Sequence, residues 1–331
     1  MSITWVLRPE DVARIRFAFS PMWELVASLR TLQQPARQSI HLPWLKAVRP
    51  RLAGLDLTEL LALVPPAGYL ADFVTPPPDT PMPDFAAELD RVRRTSPELA
   101  HAEAGELAGL AHAEAGELAG RDPAVLERFM ADPEAGVARV ADALEAYWEK
   151  CFAEFWPRVY ALLERDVLGR SRQLAQGGAR ELFAGLDPAV EWTGERLMID
   201  RPWCHQGGLH GDGLVLVPSA FYWPSVAVMS APYQSMLVYP VLGVGTLWEQ
   251  GPPPAPGALA ALIGRSRARI LLALAEPSTT TALATRMSLT PGAVSQHLGV
   301  LSGGGLTVGM RLGKQVVYRR TPAGDTLAGQ P

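Results

Sequence analysis

Cysteine is almost absent from this chain: 331 residues carry two, Cys151 and Cys204. So few thiols in so long a sequence make no disulfide framework and read as reduced side chains, which sets aside the small secreted scaffolds. Long apolar runs are lacking as well. The stretches 214–217, 225–229 and 236–244 are broken up by Pro218, Pro224, Pro232 and Pro240, so none approaches the roughly 20 apolar residues of a membrane helix. The first eleven residues hold Arg8, Glu10 and Asp11 and no apolar stretch ending in a small-residue cleavage site. The expectation is a cytoplasmic protein without a secretory signal or a membrane span.

What the chain has in quantity is apolar surface. With 48% hydrophobic residues it can bury a large core, and its length suggests about two domains. The net charge of −4 hides an asymmetry. Residues 257–331 carry eight basic side chains (Arg265, Arg267, Arg269, Arg286, Arg311, Lys314, Arg319, Arg320) against two acidic ones, Glu276 and Asp325. A basic module on an acidic body is the pattern expected when one part of a chain meets a polyanion.

The boundary between the two parts is the sequence GPPPAPG at 251–257, whose prolines favour a stiff spacer. Before it, helical patterns dominate to about residue 187, after a short strand near residues 3–7. Ser20-Pro21 and Ser96-Pro97 are helix starts, Asp56 with Glu59 resembles a capping box, and a long helical pattern from Pro133 is interrupted at Pro157. From about 190 to 241 the runs RLMID, LVLVPS, SVAVMS and MLVYPV are strand-like. The expected fold is therefore α+β: a mainly helical N-terminal domain with a small antiparallel sheet (1–250), a proline-rich linker (251–257) and a C-terminal winged helix-turn-helix (258–331). An eleven-residue segment, LAHAEAGELAG, occurs twice in tandem at 99–109 and 110–120. Eleven residues return almost to the same helix face, so the duplication is a tolerated insertion. His101 and His112 would lie ~16 Å apart on such a helix, too far to share a metal.

The motif that carries function follows the spacer. Leu259, Leu262, Ile263, Ile270, Leu271 and Leu274 recur at helical spacing as one buried-face helix, and Ser278 or Thr279 caps a second, TTALATRM. After the turn Ser288-Leu289-Thr290, Thr290 caps a third helix with Pro291 at its first position. Val294, Leu298 and Leu301 face inward, leaving Thr290, Gly292, Ser295, Gln296 and Gly299 on the outward edge. Small and polar residues at the start of an exposed helix suit entry into the DNA major groove. Then come LTVGMRL, a turn at Gly313-Lys314-Gln315, and VVYRRT: a basic hairpin suited to phosphates, with Arg311, Lys314, Gln315 and Arg319 as its candidate contacts.

In this order the residues resemble the ArsR-type winged helix-turn-helix of bacterial transcriptional regulators over roughly 258–329, with TTTALA, AVSQHL and VVYRRTPAG the nearest matches. The region before it, including FSPMWELVASLR, HLPWL and LVLVPSAFYWP, resembles an uncharacterised N-terminal region attached to this module in a group of high-GC bacterial regulators. The first resemblance implies a homodimer on an imperfect palindrome of double-stranded DNA, usually a repressor released by an effector. It implies DNA contacts from Thr290, Ser295 and Gln296 on the recognition helix and from Arg311, Lys314 and Gln315 on the wing. Two departures stand out: Gly299 replaces a usual charged residue, and SGGG precedes the wing where one glycine is usual. Each extra glycine costs a helix about 1 kcal/mol relative to alanine, which predicts early fraying of the recognition helix.

Other chemistry is weakly signalled. The helix before the recognition helix holds no cysteine, so a thiolate metal site there is excluded. CHQGGLHGDG places Cys204, His205, His210 and Asp212 close in sequence; these are either a mixed-ligand zinc set or an ordinary glycine-rich turn, and no metal or cofactor is assigned. A Cys-His pair there lacks an oxyanion hole and a third group, so no catalysis is expected. His297 reads as a packing or phosphate-side residue. The aromatic clusters at 147–160 and 221–224 could line a site for a small apolar effector or form core or a dimer seam. The resulting expectation is a dimeric repressor with an unknown non-metal effector. The alternative is an enzyme or ligand-binding protein whose winged helix serves only dimerisation.

Overall fold

The computed structural model describes residues 2–113, 122–200, 205–209, 211–248, 256–287, 289–312 and 315–329; for residues 111–113, 205–207, 256, 258, 312 and 315 it describes the backbone alone. The chain divides into two compact units, Met1–Trp248 and Glu249–Pro331. Among the described residues no helix is long and apolar enough to cross a membrane.

The N-terminal unit is mainly helical. Its helices are α1 (Pro9–Ala13), α2 (Pro21–Gln33), α3 (Leu42–Val48), α4 (Thr58–Leu63), α5 (Phe85–Arg93), α6 (Pro97–Ala113), α7 (Pro123–Ala131), α8 (Pro133–Tyr147) and α9 (Trp156–Ala184). Local chemistry sets many of their starts. Side chains of Ser20, Asp84, Asp122 and Asp132 accept backbone N–H groups at the openings of α2, α5, α7 and α8, satisfying donors that a helix leaves unpaired. The expected capping box at Asp56 is absent. Asp56 accepts the Thr58 N–H at 3.0 Å, while Glu59 turns outward to pair bidentately with Arg139 at 2.9 Å. Between α8 and α9 the chain makes a wide π-turn over Trp148–Phe152, and Pro157 sits in the first turn of α9, where its missing N–H costs nothing. The first copy of the tandem segment lies inside α6, burying Ala100, Ala104 and Leu107; most of the second copy lies outside the described residues.

The strands of this unit are β1 (Ser2–Val6), β2 (Arg16–Phe17), β3 (Val190–Trp192), β4 (Arg196–Asp200), β5 (His205–Gly208), β6 (Val215–Ser219), β7 (Ala227–Met229) and β8 (Met236–Pro240). The α+β class is as expected, but the strands divide between two sheets of mixed pairing, each recruiting a strand from the N-terminus. One has the order β3-β4-β1-β5, with β1 antiparallel to β4 and parallel to β5. The other has the order β2-β6-β8-β7, with β2, β6 and β8 mutually parallel and β7 antiparallel. The residues explain the difference. β4 alternates exposed and covered positions, as a half-solvated antiparallel strand does, whereas β6 and β8 are buried at all five positions and are continuous apolar runs, the signature of parallel strands covered on both faces.

Alternate residues of β6 and β8 feed two cores. Val215, Val217, Met236 and Val238 join the main helical core with Leu25, Leu63, Phe129 and Phe152. Leu216, Leu237 and Tyr239 join Ile3, Trp5, Leu197 and Phe183. The aromatic stretch 147–160 contributes to the first of these, with Tyr147 and Phe152 fully buried, Trp148 stacked on Phe85 at 4.2 Å, and Phe155, Trp156 and Tyr160 half-buried against the same core.

The C-terminal unit contains α10 (Pro256–Ile263), α11 (Arg265–Ala273), β9 (Ser278–Thr279), α12 (Thr280–Met287), α13 (Pro291–Gly303), β10 (Thr307–Leu312), β11 (Gln315–Arg320) and α14 (Pro322–Leu327). The single first helix expected from the leucine spacing is two helices. Gly264 has φ +86°, which an L side chain rarely adopts, and it breaks the pattern; Leu262 is consequently exposed. The order β10-β11-β9 makes a three-stranded antiparallel wing.

Candidate nucleic-acid interface

Packing fixes α13 by its inner face. Val294, Leu298 and Leu301 are buried against Ile270, Leu274, Leu283, Ala284 and Met287, the spacing of one helical stripe. Leu289 is half-buried on the same core, and its N–H closes onto the Ala284 carbonyl at 3.0 Å, which ends α12 and aims the chain into α13. Thr290 caps α13 by accepting the Ala293 N–H at 3.3 Å, with Pro291 in the first turn. At the far end the helix runs to Gly303 with Gly299 inside it. Gly305 takes φ +71°, and the Leu306 N–H returns to the Leu301 carbonyl at 2.8 Å, a Schellman closure.

The outward face carries Thr290, Pro291, Gly292, Ser295, Gln296 and Gly299, all exposed, while His297 is half-buried. Gly292, Ser295 and Gly299 form a stripe without bulk, beside which Gln296 projects. Thr290 Oγ1 accepts the cap hydrogen bond and keeps its O–H as a donor, so Thr290, Ser295 and Gln296 carry the side-chain polarity of this face.

The wing brings its candidates together only in part. Arg311 and Arg319 are both exposed, yet the register pairs Arg311 with Val316 and Val308 with Arg319, which puts the two guanidinium groups on opposite faces of the hairpin. Gln315 is described by its backbone alone, and Lys314 lies outside the described residues. Arg320 leaves the set of free cations: it is 5% exposed, donates from Nε to the Leu274 carbonyl at 3.1 Å and pairs with Asp325 at 3.3 Å. It anchors the hairpin to α11 and α14.

The glycine-rich turn of the N-terminal unit is described only in part. Cys204 and His210 lie outside the described residues, and only the backbone of His205 is described, on β5. Around Asp212 the turn is gathered by Asp11, a fully buried carboxylate whose Oδ1 accepts the N–H groups of Gly211 at 2.8 Å and Gly213 at 3.3 Å. Among the described residues no group of three His, Cys, Asp or Glu side chains could hold a metal.

A second set of buried polar groups was invisible in the sequence. Glu24 on α2 accepts the Ala220 N–H at 3.1 Å and the Phe221 N–H at 3.2 Å, and burial pushes its carboxyl up to about 7. His41 faces the same residue from the other side. Trp248 Nε1–H donates to Nδ1 at 2.8 Å, which leaves the proton on Nε2, 3.2 Å from the Ala220 carbonyl; burial pushes the imidazole down to about 4. Glu88 accepts the Met22 N–H at 2.8 Å and is raised to about 8 by burial. Asp72 is raised to about 7, first by burial and then by the nearby Glu103 and Glu106 carboxylates. Glu103 accepts the Phe73 N–H and the Tyr233 hydroxyl at 2.8 and 2.6 Å. Glu24, Glu88, Glu103 and His41 all bond backbone, so their role visible here is to hold loops in place.

Residues 110–245 match the model of a family of unknown function (DUF5937), and residues 262–309 match the model of a helix-turn-helix domain. Neither a curated protein nor a solved structure matches the chain. The second matched segment runs from the end of α10 into β10, so it covers the helical face described above, and the hairpin is completed beyond it. The C-terminal unit thus carries a helix-turn-helix domain, which suggests a DNA-binding transcription regulator, and the N-terminal unit is similar over residues 110–245 to a family without an assigned function.

Proposed function

We propose that this chain is a cytoplasmic, dimeric transcriptional repressor of the ArsR type that binds an imperfect palindrome and is released by a small non-metal effector held by the N-terminal unit. One observation supports the reading above the rest: α13 opens on a capped, exposed face of small and polar residues and is followed at once by a hairpin with exposed arginines. Small residues let the helix backbone approach base edges, and the Gln296 amide can donate and accept together, as adenine recognition requires. At the N-terminus of α13 Pro291 has no N–H and those of Ala293 and Val294 are bonded to Thr290, so the Gly292 N–H is the one open to a phosphate. Arg311, Lys314, Gln315 and Arg319 supply backbone contacts that position without specifying. In a dimer the two recognition helices enter successive major grooves ~34 Å apart, and the bound repressor occludes the promoter.

The test is a gel shift with the DNA upstream of the protein's own coding sequence, comparing wild type with the Ser295→Ala/Gln296→Ala double variant. A lost base contact costs about 1–3 kcal/mol, so the variant is expected to bind the specific site at least tenfold more weakly while retaining its affinity for unrelated DNA. No specific shift by the wild type, or identical shifts by both proteins, would refute the assignment.

A further inference from the structure

Parallel strands β2, β6 and β8 run side by side, and ligand crevices in parallel sheets lie beyond the carboxyl ends of such strands. β6 ends at Ser219, and the loop that follows is fastened on several sides. Glu24 and His41 grip Ala220. Gln38 Nε2 donates to the carbonyls of Phe221 and Trp223 at 2.9 and 3.1 Å, and the Tyr222 N–H donates to Ser219 Oγ at 3.0 Å. Gln38 is itself held by the Thr31 hydroxyl. This loop and the end of α2 enclose a cleft of about 200 Å³, smaller than the pockets that take drug-sized ligands.

The chemistry of the cleft is one-sided. Two guanidinium groups line it, and no acid does. Arg30 is 8% exposed and donates to the Pro65 and Gly68 carbonyls and to the Tyr222 hydroxyl. Those partners are all neutral, and among the described residues no carboxylate lies within ion-pair distance of it, so a nearly buried positive charge lacks a counterion. Arg37 is exposed, and its side chain has no partner among the described residues. Gln34 adds a buried Oε1 with no donor. The Trp223 ring, 36% exposed, and Pro66 supply flat apolar walls.

We propose that this cleft binds a small planar aromatic carboxylic acid. The carboxylate pairs with Arg37 beside the buried charge of Arg30, and the ring lies against Trp223. Guanidinium–carboxylate pairing and aromatic stacking on a tryptophan are the two interactions that such a wall favours. As an effector site the proposal rests on the regulator reading above; as a binding site it stands without it. The ligand is anionic, unlike the small apolar effector that was one of the expectations from aromatic content.

The test is isothermal titration of the full chain, without DNA, using 4-hydroxybenzoate, benzoate, the neutral 4-hydroxybenzamide and inorganic phosphate as probes. The expected result is one saturable site per chain for the carboxylates, with the amide and phosphate at least tenfold weaker. Arg37→Ala weakens 4-hydroxybenzoate at least tenfold, and Arg37→Lys restores part of the loss; Arg37 is exposed, and an unchanged melting temperature shows that the variants fold. No saturable binding of either carboxylate up to about 10 mM, equal affinity for the amide or phosphate, or full affinity in Arg37→Ala overturns the site. The same ligand added to the protein–DNA complex addresses the regulator separately: binding that leaves DNA affinity unchanged keeps the site and removes its role as effector pocket.

Discussion

Leu298→Asp is expected to abolish DNA binding by unfolding the C-terminal unit while the N-terminal unit stays folded. Leu298 is fully buried at the centre of a small core of Ile270, Leu274, Leu283, Met287, Val294 and Leu301. Truncation there to alanine alone costs about 2–5 kcal/mol, and a carboxylate adds the penalty of an unpaired buried charge. A unit of this size has about 5–15 kcal/mol to lose. The cores of the two units share no residue, and all nine tryptophans precede residue 249, so tryptophan emission reports the N-terminal unit alone. The check is far-ultraviolet circular dichroism with tryptophan fluorescence and a DNA-binding assay on the same sample. Native-like emission with lost helicity and no DNA complex is the expected outcome. A variant that still shifts DNA would show that α13 is not held as described.

Raising the pH from about 5 to about 8 is expected to destabilise the N-terminal unit, against the usual behaviour of paired carboxylates. Glu24 at about 7, Glu88 at about 8 and Asp72 at about 7 all titrate above their ordinary range, burial being the largest cause. Below the unfolded-chain values both states are protonated and the contribution of these groups is fully present. Between those values and the folded ones the unfolded chain ionises first, so stability falls until the buried carboxyls have also ionised. Glu24 alone loses about 3 kcal/mol across that window. His41, lowered to about 4, acts in the other direction between its folded value and its ordinary value near 6.5, so it offsets part of the slope there and none above. The thermal midpoint followed by tryptophan fluorescence should fall by roughly 15 °C or more between pH 5 and 8. Glu88→Gln, neutral at every pH, should flatten the curve; a midpoint that rises with pH would contradict the burial argument.

The helix-turn-helix was legible in the sequence because its determinants are local. Thr290 and Pro291 start a helix by capping chemistry within three residues, and Val294, Leu298 and Leu301 mark its inner face by spacing alone. The exposed positions of Ser295 and Gln296 follow from that stripe. The break at Gly264 was less legible, since leucine spacing continues across it and only the backbone angle reveals the stop. Sheet pairing was harder still. β1 and β2 meet strands about two hundred residues away, and nothing local announces such partners, although the unbroken apolar runs of β6 and β8 carry the mark of two-sided burial. Glu24 reads as an ordinary helix-surface glutamate until Ala220 arrives beside it from the far end of the unit. Arg320 counts in the sequence only as one of eight basic residues of the module until Leu274 and Asp325 claim it. Fates decided by distant contacts were the ones the sequence did not disclose.

The central claim, that the C-terminal unit binds DNA through α13 and its wing, is tested most directly by the salt dependence of binding to the protein's own upstream DNA, followed by fluorescence anisotropy. Three or four phosphate contacts from each subunit of a dimer predict that log affinity falls with log salt at a slope of about −5 to −7. A slope near zero, or no saturable binding at low salt, would contradict the account.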